Sequence, residues 1–379
     1  VYLSRILIYN PLCPFLFTMS EASFSPRISI IVPCYNEERT IGLLLSAIAN
    51  QSVPLSDIEV IIADGLSTDR TREEVQAFQE ANPLLHIRVV DNPRRIIPAA
   101  LNTAIRHSNG AIIIRLDAHC MPYPDYIEHC VRAMDAGKVD NVGGVWEIKA
   151  FSHQGKHPSA IARSIAIAAA HPLGVGDAYY RYTTRAQAVD TVPFGAFKRT
   201  LIDRIGGFDE TLLTNEDYEF NIRVKRSGGV IWLDPKIRSI YFARPDLFAL
   251  SRQYWRYGFW KAQMLRRYTN SIRWRQALPP LFTAALFLLI ILSPWLSLAR
   301  WLVSIQIGLY FLILLLAATP IAISKRDPFI MIGFPISVAA MHISWGAGFL
   351  PPVKTMPATG LGAAASVWLA VGSRRMILL

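Results

Sequence analysis

Three stretches near the end of this 379-residue sequence, 281–299, 301–323 and 329–350, contain no Asp, Glu, Lys or Arg. Such a lack of charge excludes an ordinary soluble fold for that part, and each stretch is long enough to cross about 30 Å of hydrocarbon as a helix. Cysteine is also scarce: Cys13, Cys34, Cys120 and Cys130 form no Cys-x-x-Cys, so the close spacing of a thiol metal site or redox pair is missing. They read as reduced, buried, small apolar side chains. Nor does an aromatic-basic recognition motif accompany the net charge of +11, so no nucleic-acid partner is inferred. The densest basic segment, 245–276, has seven Arg/Lys against one Asp and abuts the apolar stretches, as expected of attraction to anionic membrane lipid.

What is present divides the chain. Residues 1–26 form an N-terminal extension, 27–244 a globular domain, 245–277 an interfacial amphipathic region and 278–379 a membrane region of three or four helices. The fourth candidate, 358–372, is short and rich in Gly and Ala, and reads as a thin span, a re-entrant piece or a packed helix. Pro294, Pro320 and Pro335 are compatible with spans, because neighbouring helices satisfy the freed carbonyls. Arg266, Arg267, Arg273 and Arg275 precede the first span, Lys325 and Arg326 follow the second, Arg374 and Arg375 close the chain, and only Arg300 lies between the first two. The positive-inside rule then puts everything before Leu281 in the cytoplasm. Residues 1–17 are apolar but broken by Pro11 and Pro14; they read as an upstream extension with Met19 as the true start, or as an interfacial anchor.

The globular part alternates. Strand patterns at 28–32, 58–63, 87–90 and 111–116 are separated by helical patterns at 40–50, 71–80 and 99–107. This predicts an α/β domain with a mostly parallel, Rossmann-like sheet covered on both faces. Ligands of such sheets sit beyond the carboxyl ends of the strands. Those ends carry Pro33-Cys-Tyr-Asn-Glu37, Asp64-Gly-Leu-Ser-Thr-Asp69 and Asp117-Ala-His119, three polar clusters that define one cleft.

Asp64 is placed to accept hydrogen bonds from a base or ribose, whereas Ser67, Thr68 and Asp69 read as the cap of the helix that starts at Thr71. Asp117 and His119 are competent ligands for Mg²⁺ or Mn²⁺, with diphosphate oxygens completing the shell. Further on, Asn215-Glu-Asp217 opens a helix. A carboxylate there can take a proton from a sugar hydroxyl, or can simply favour the helix dipole. Tyr179-Tyr-Arg-Tyr182 offers either sugar platforms or loop packing.

The elements Val32-Pro-Cys-Tyr-Asn-Glu37, Asp64-Gly-Leu-Ser-Thr-Asp-Arg-Thr71, Leu116-Asp-Ala-His119, Gly206-Gly-Phe-Asp209 and Asn215-Glu-Asp217 run in one order across the domain. In this the chain resembles the GT-A-fold, family 2 inverting glycosyltransferases, and with Val192-Pro-Phe-Gly195 and the C-terminal spans it looks most like bacterial exopolysaccharide enzymes of the succinoglycan β-1,3-glucosyltransferase type. The resemblance implies Asp64 on the nucleotide base, Asp117 on the metal-diphosphate and Asp217 as the base that deprotonates the acceptor. Glu37 and Glu216 join the substrate-binding candidates. His119 stands where the family usually has the second Asp of Asp-x-Asp, which makes the site one unit less negative. Gln253-Tyr-Trp-Arg256-Tyr257 resembles the Gln-x-x-Arg-Trp motif of membrane polysaccharide synthases, with Tyr for Trp, and is equally compatible with a plain interfacial helix. The expected activity is transfer of a hexose, glucose by preference, from a UDP-sugar to a polyprenyl-diphosphate-linked glycan at the cytoplasmic face of a bacterial inner membrane. A processive synthase and a non-catalytic membrane scaffold are the rivals.

Overall fold

The computed structural model describes residues 26–150, 157–268 and 274–350. The segment 1–17, Met19, Cys13, Arg273, the run 358–372, Arg374 and Arg375 lie outside the described residues.

The first half follows the alternation of the sequence. β1 (Ile28–Cys34), α1 (Ile41–Ala49), β2 (Ile58–Asp64), α2 (Thr71–Ala81), β3 (His86–Asp91), α3 (Ile97–His107) and β4 (Ile112–Arg115) build a parallel block in the order β3-β2-β1-β4. β2 is buried along its whole length, as expected of a parallel strand covered on both faces. On α1, Ile41, Leu44, Leu45 and Ile48 are buried, one apolar stripe at helical spacing. α3 begins two positions before the sequence pattern suggests, because Pro98 fits the first turn, where its missing N–H costs nothing.

The second half is mixed. It contains β5 (Met121–Pro122), α4 (Tyr126–Asp135), β6 (Asn141–Lys149), α5 (Ala160–Ala169), α6 (Pro172–Val175), β7 (Gln187–Ala188), β8 (Ala196–Lys198), α7 (Arg199–Ile205), α8 (Glu216–Arg226) and β9 (Ile231–Phe242). β8 pairs antiparallel with both β4 and β6, β6 and β9 are parallel, and β5 and β7 add antiparallel pieces to β9, which completes a nine-stranded sheet. Strands as short as β5, β7 and β8 leave little periodicity in a sequence. Cys34, Cys120 and Cys130 are free and buried, and burial pushes their thiols up, so they behave as apolar side chains.

α9 (Leu247–Arg267) leads to α10 (Trp274–Leu292), α11 (Ser297–Lys325) and α12 (Ile330–Phe349). The last three are long and apolar enough to cross a membrane. The first break falls earlier than the charge-free stretches suggest: α10 ends at Leu292 and 293–296 form the turn, with Pro294 inside it, whereas Pro320 and Pro335 lie within α11 and α12. Arg300 therefore belongs to α11, not to the connection, and its Nη1 donates back to the Ser293 carbonyl at 3.0 Å. At 29 residues, α11 is about 43 Å long. About half of α12 is buried inside the protein, whereas little of α10 and α11 is. It is the helix on which the others and α9 pack. A Cβ on Gly348 would fall on the Trp255 carbonyl, and one on Gly258 on the Trp345 carbonyl, so α9 and α12 approach nearly backbone to backbone. The outward apolar side chains of α10 and α11, among them Leu281, Ile291, Trp301 and Leu316, form a surface suited to lipid.

Candidate active site

β1 and β2 end in register, Cys34 beside Asp64, so their loops leave the sheet side by side. The Asn36 amide donates to Ser67 Oγ at 2.9 Å, the Glu37 amide to Thr71 Oγ1 at 2.7 Å, and the Thr68 amide to Asn36 Oδ1 at 2.8 Å. The expected side-chain cap of α2 is not formed, since Arg70 occupies the cap position without a cap bond; Asp69 accepts the Thr71 N–H at 3.1 Å and the Glu38 N–H at 3.2 Å, and with Ser67 and Thr68 it clamps the two loops together. Asp64 is 1% exposed and accepts the Ser67 N–H at 3.0 Å, the Ser67 hydroxyl at 2.5 Å and Arg72 Nε at 2.6 Å. Oδ2 holds two of these donors and Oδ1 one, so a carboxylate with about four acceptor sites keeps capacity on Oδ1. Asp91 lies beside Asp64 on β3, is more exposed, and takes Arg72 Nη2 at 2.6 Å. Neither Asp91 nor Arg72 stood out in the sequence; the available signal was that Asp91 closes β3 as Asp64 closes β2.

The loop after β4 delivers Asp117 and His119. His119 Nδ1 lies 3.2 Å from Glu37 Oε1, which joins the β1 and β4 loops. With Nδ1 donating to this carboxylate, Nε2 is left as the ligating nitrogen, the arrangement that orients histidines toward metals. Burial lowers the His119 pKa, but the hydrogen bond and charge of Glu37, with Asp117, outweigh it and raise the net value. Asp117 accepts Arg115 Nε at 3.0 Å on Oδ1 and Nη2 at only 3.5 Å on Oδ2, so one oxygen is loosely held. Among the described residues no group of three or more metal-type side chains occurs. One carboxylate and one imidazole still fit a divalent ion whose remaining ligands are phosphate oxygens and water.

Opposite these loops stands the start of α8. The preceding Gly206-Gly-Phe-Asp209 turn is structural. Gly206 has φ +79°, and Arg223 Nη1 and Nη2 on α8 donate to the carbonyls of Ile205 (2.6 Å) and Gly207 (2.7 Å). Asn102 on α3 bonds both the N–H and the carbonyl of Phe208, at 2.8 and 2.9 Å. This bracing sets where α8 begins. Glu216 is 5% exposed and pairs with Arg115 Nη2 at 3.0 Å. Removing one partner from a buried pair of this kind costs about 3–5 kcal/mol. Burial pushes the Glu216 carboxyl up, against the pull of Arg115 and with the repulsion of Asp217. Half-buried Asp217 is likewise raised by burial, opposed by Arg115. Asp217, Arg115, Asn141 and Gly195 meet the core side chains Val192, Phe194, Phe197, Phe208 and Phe220 around a buried void of about 10 Å³, room for a single water.

α9 closes the site from below. Arg256 is exposed, with Nη2 3.5 Å from Thr214 Oγ1, just before α8. Gln253 is directed elsewhere: its amide donates to the hydroxyls of Tyr241 (3.0 Å) and Tyr257 (2.8 Å). Those rings belong to an aromatic cluster in which Trp146 stacks on Tyr241 at 4.4 Å, and Arg181 lies over Trp146, Tyr180 and Tyr241. Tyr180 and Arg181 therefore pack the loop rather than line the cleft. Sequence reasoning missed Lys261, whose Nζ sits 3.6 Å over the Tyr218 ring and which burial holds down at about 7. It also missed Arg115, which the strand pattern concealed as one more buried position. The structure thus groups Glu37, Asp117 and His119, brings Glu216 and Asp217 against them through Arg115, sets Arg256 at the rim, and keeps Asp64 behind Ser67 and Gln253 outside.

A parallel Rossmann-like block followed by a mixed second half, with Asp117 and Glu216 drawn together by Arg115, is the architecture of the GT-A fold. Residues 29–206 match the profile of glycosyl transferase family 2, so the chain carries a family 2 glycosyltransferase domain. It is similar to the succinoglycan biosynthesis protein ExoA of Rhizobium meliloti (29% identity, covering 87% of this chain and 96% of that protein). It is similar also to a dolichyl N-acetyl-alpha-D-glucosaminyl phosphate 3-beta-D-2,3-diacetamido-2,3-dideoxy-beta-D-glucuronosyltransferase of Methanococcus voltae (28%, covering 85% and 95%). Among solved structures, the mannosyltransferase PcManGT of Pyrobaculum calidifontis, in complex with GDP-Man and Mn²⁺, shares the fold with TM-score 0.55 and 22% identity, covering 85% of this chain and 88% of that one.

Proposed function

We propose that the protein is an inverting hexosyltransferase that moves a single sugar, glucose by preference, from a UDP-sugar to a polyprenyl-diphosphate-linked glycan in bacterial exopolysaccharide biosynthesis. The observation that carries the reading is that one buried guanidinium, that of Arg115, holds both Asp117 of the β4 loop and Glu216 at the start of α8, immediately before Asp217. The similarity to ExoA supports the pathway, and the three apolar helices packed on α9 support a multi-pass inner-membrane protein with its catalytic domain on the cytoplasmic side.

In this mechanism Asp217 accepts the proton of the acceptor hydroxyl as the oxygen attacks the anomeric carbon. The bond to the leaving diphosphate breaks with its electron pair, and the configuration inverts. Asp117 and His119 would hold a divalent ion, Mn²⁺ or Mg²⁺, which when bound neutralises charge on the diphosphate. Glu37 orients His119, and Arg256 at the rim attracts the anionic carrier of the acceptor. Membrane anchorage confines the search for a lipid-borne acceptor and raises its effective concentration.

The test is transfer by membranes containing the protein, with a panel of UDP-hexoses, Mn²⁺ or Mg²⁺ and a lipid-linked acceptor, with Asp217→Asn as control. One added sugar of inverted configuration by wild type alone supports the proposal. A ladder of products would favour a processive synthase, and no transfer from any donor would favour a scaffold.

A further inference from the structure

We propose that Arg115 is a positioning residue that ties the donor side of the cleft to the acceptor side, so that sugar transfer depends on it more than nucleotide binding does. The inference rests on the reading of Asp117 as a donor-side residue and Asp217 as the base. Arg115 is the last residue of β4, in register with Ile31, and its N–H donates to the Gly195 carbonyl at 3.1 Å, so two neighbouring strands fix its backbone. From this anchor one guanidinium, with only 6% of the residue exposed, reaches carboxylates on two different elements. Nε bonds Asp117 at 3.0 Å, and Nη2 pairs with Glu216 at 3.0 Å.

Glu216 needs that anchor. α8 starts from Asn215 in the left-handed conformation (φ 66°), whose side chain makes no cap bond. The Tyr218 N–H is held at 2.7 Å by Asp217 Oδ1 itself, so the first turn and the base carboxylate move together. The Arg115–Glu216 pair crosses the cleft to the first residue of that turn, immediately before Asp217. Arg115 and Asp217 also border the same small buried void, and Arg115 Nη1 is buried there without a hydrogen-bond partner. A base works only within hydrogen-bond reach of its proton, and a displacement of about 1 Å costs on the order of 10²-fold in rate. Loosening the first turn of α8 therefore acts on turnover and leaves the nucleotide loops, clamped by Ser67 and Thr71, in place.

The experiment compares Arg115→Lys, Arg115→Met, Glu216→Gln and the Arg115→Met/Glu216→Gln double variant with Asp217→Asn in native membranes, reading UDP affinity, donor KM and kcat. The expected result is a kcat lower by about 10²-fold in Glu216→Gln with UDP affinity and donor KM near wild type, and in Arg115→Met, which also frees Asp117, a kcat loss of about 10²-fold that exceeds its loss of UDP affinity. Lys should recover part of the loss, and the double variant should be no slower than its slower parent, because both parents break one link. Parallel loss of UDP affinity and kcat, or strictly additive losses, would overturn the proposal. Wild-type kcat in Arg115→Met beside an inactive Asp217→Asn overturns it alone; turnover by Asp217→Asn overturns the base assignment and the proposal with it. Should Arg115→Met bind no UDP because it does not fold, Glu216→Gln, which keeps the side-chain volume, decides the matter by the same split.

Discussion

The two walls of the cleft are finished to different degrees. On the wall formed by the β1, β2 and β4 loops, the carboxylates are engaged by the protein itself: Asp64 by Ser67 and Arg72, Asp69 by Thr71, Glu37 by Thr40 and His119, Asp117 by Arg115. On the α8 wall, Asn215 Nδ2 is buried without a hydrogen-bond partner, as is Arg115 Nη1 between the walls, and Arg256 has no ion pair among the described residues. A buried polar atom left open costs about 1–3 kcal/mol; Asn141 Oδ1, Asp125 Oδ1, Trp146 Nε1 and Thr283 Oγ1, none of them in α8, are open as well. The first wall is pre-organised, whereas the second leaves a polar atom and a cation open. Backbone strain does not divide the same way: non-glycine residues with positive φ occur on both sides, Asn36 and Leu66 on the first and Asn215 on the second.

The sharpest way to separate the walls is Asp217→Asn, which keeps shape and removes the base. Turnover should fall by about 10³-fold while UDP affinity, measured by equilibrium binding, stays unchanged. The pH dependence should follow from the same residue. Burial raises the Asp217 carboxyl, so kcat/KM should climb with pH through an acid limb above the ordinary aspartate range of about 3.9. Stability should run the other way. A carboxyl raised in the folded state binds its proton more tightly there, so stability present at low pH is lost as pH rises between the ordinary glutamate range and the value of about 7 for Glu216. Thermal unfolding in detergent across that window checks the sign, and a rise in stability with pH would refute it.

On the first wall the largest expected effect belongs to Glu37. Glu37→Gln weakens the carboxylate hold on His119 Nδ1 without touching its backbone contacts, so the Mn²⁺ concentration for half-maximal activity should rise by about 10–100-fold. An unchanged metal titration would show that His119 does not act as a ligand.

How much of this was legible from residues alone follows the same division. The parallel block was, because β1, β2, β3 and β4 are runs of β-branched residues bounded by turns and separated by periodic helices. The three polar clusters were also legible, since strand ends determine where loops converge. β5, β7 and β8 were not, as two or three residues carry no period and owe their strand character to neighbours. Ser67 illustrates a different failure. Its local pattern reads as a helix cap, yet its hydroxyl bonds Asp64 and accepts from Asn36 across the loop, a long-range pairing that no local rule reports. Arg115 fell in a strand, where a buried cation looks like an irregularity until its two carboxylates, distant in sequence, come to it.

Ser67→Ala should therefore act through the clamp. It leaves the Asn36 amide and one oxygen of fully buried Asp64 unmatched, and should lower stability by about 2 kcal/mol. Donor KM should rise and acceptor KM stay constant; a change confined to the acceptor would contradict the division into two walls.

The smallest expected effect is at Gln253. As part of a sequence that resembles a synthase motif, Gln253 was expected near the substrate, but its amide bonds the hydroxyls of Tyr241 and Tyr257 inside the aromatic cluster. Loss of a hydrogen-bonded side chain to partly buried hydroxyls costs about 1 kcal/mol. Gln253→Ala should lower thermal stability by that amount and leave both KM values and kcat unaltered. Arg256→Ala, three positions along α9, should raise acceptor KM with donor KM constant, because its guanidinium is exposed at the rim beside Thr214. Paired kinetics of the two variants thus ask whether one helix faces two environments, and a kinetic defect in Gln253→Ala as large as that of Arg256→Ala would return the glutamine to the substrate side.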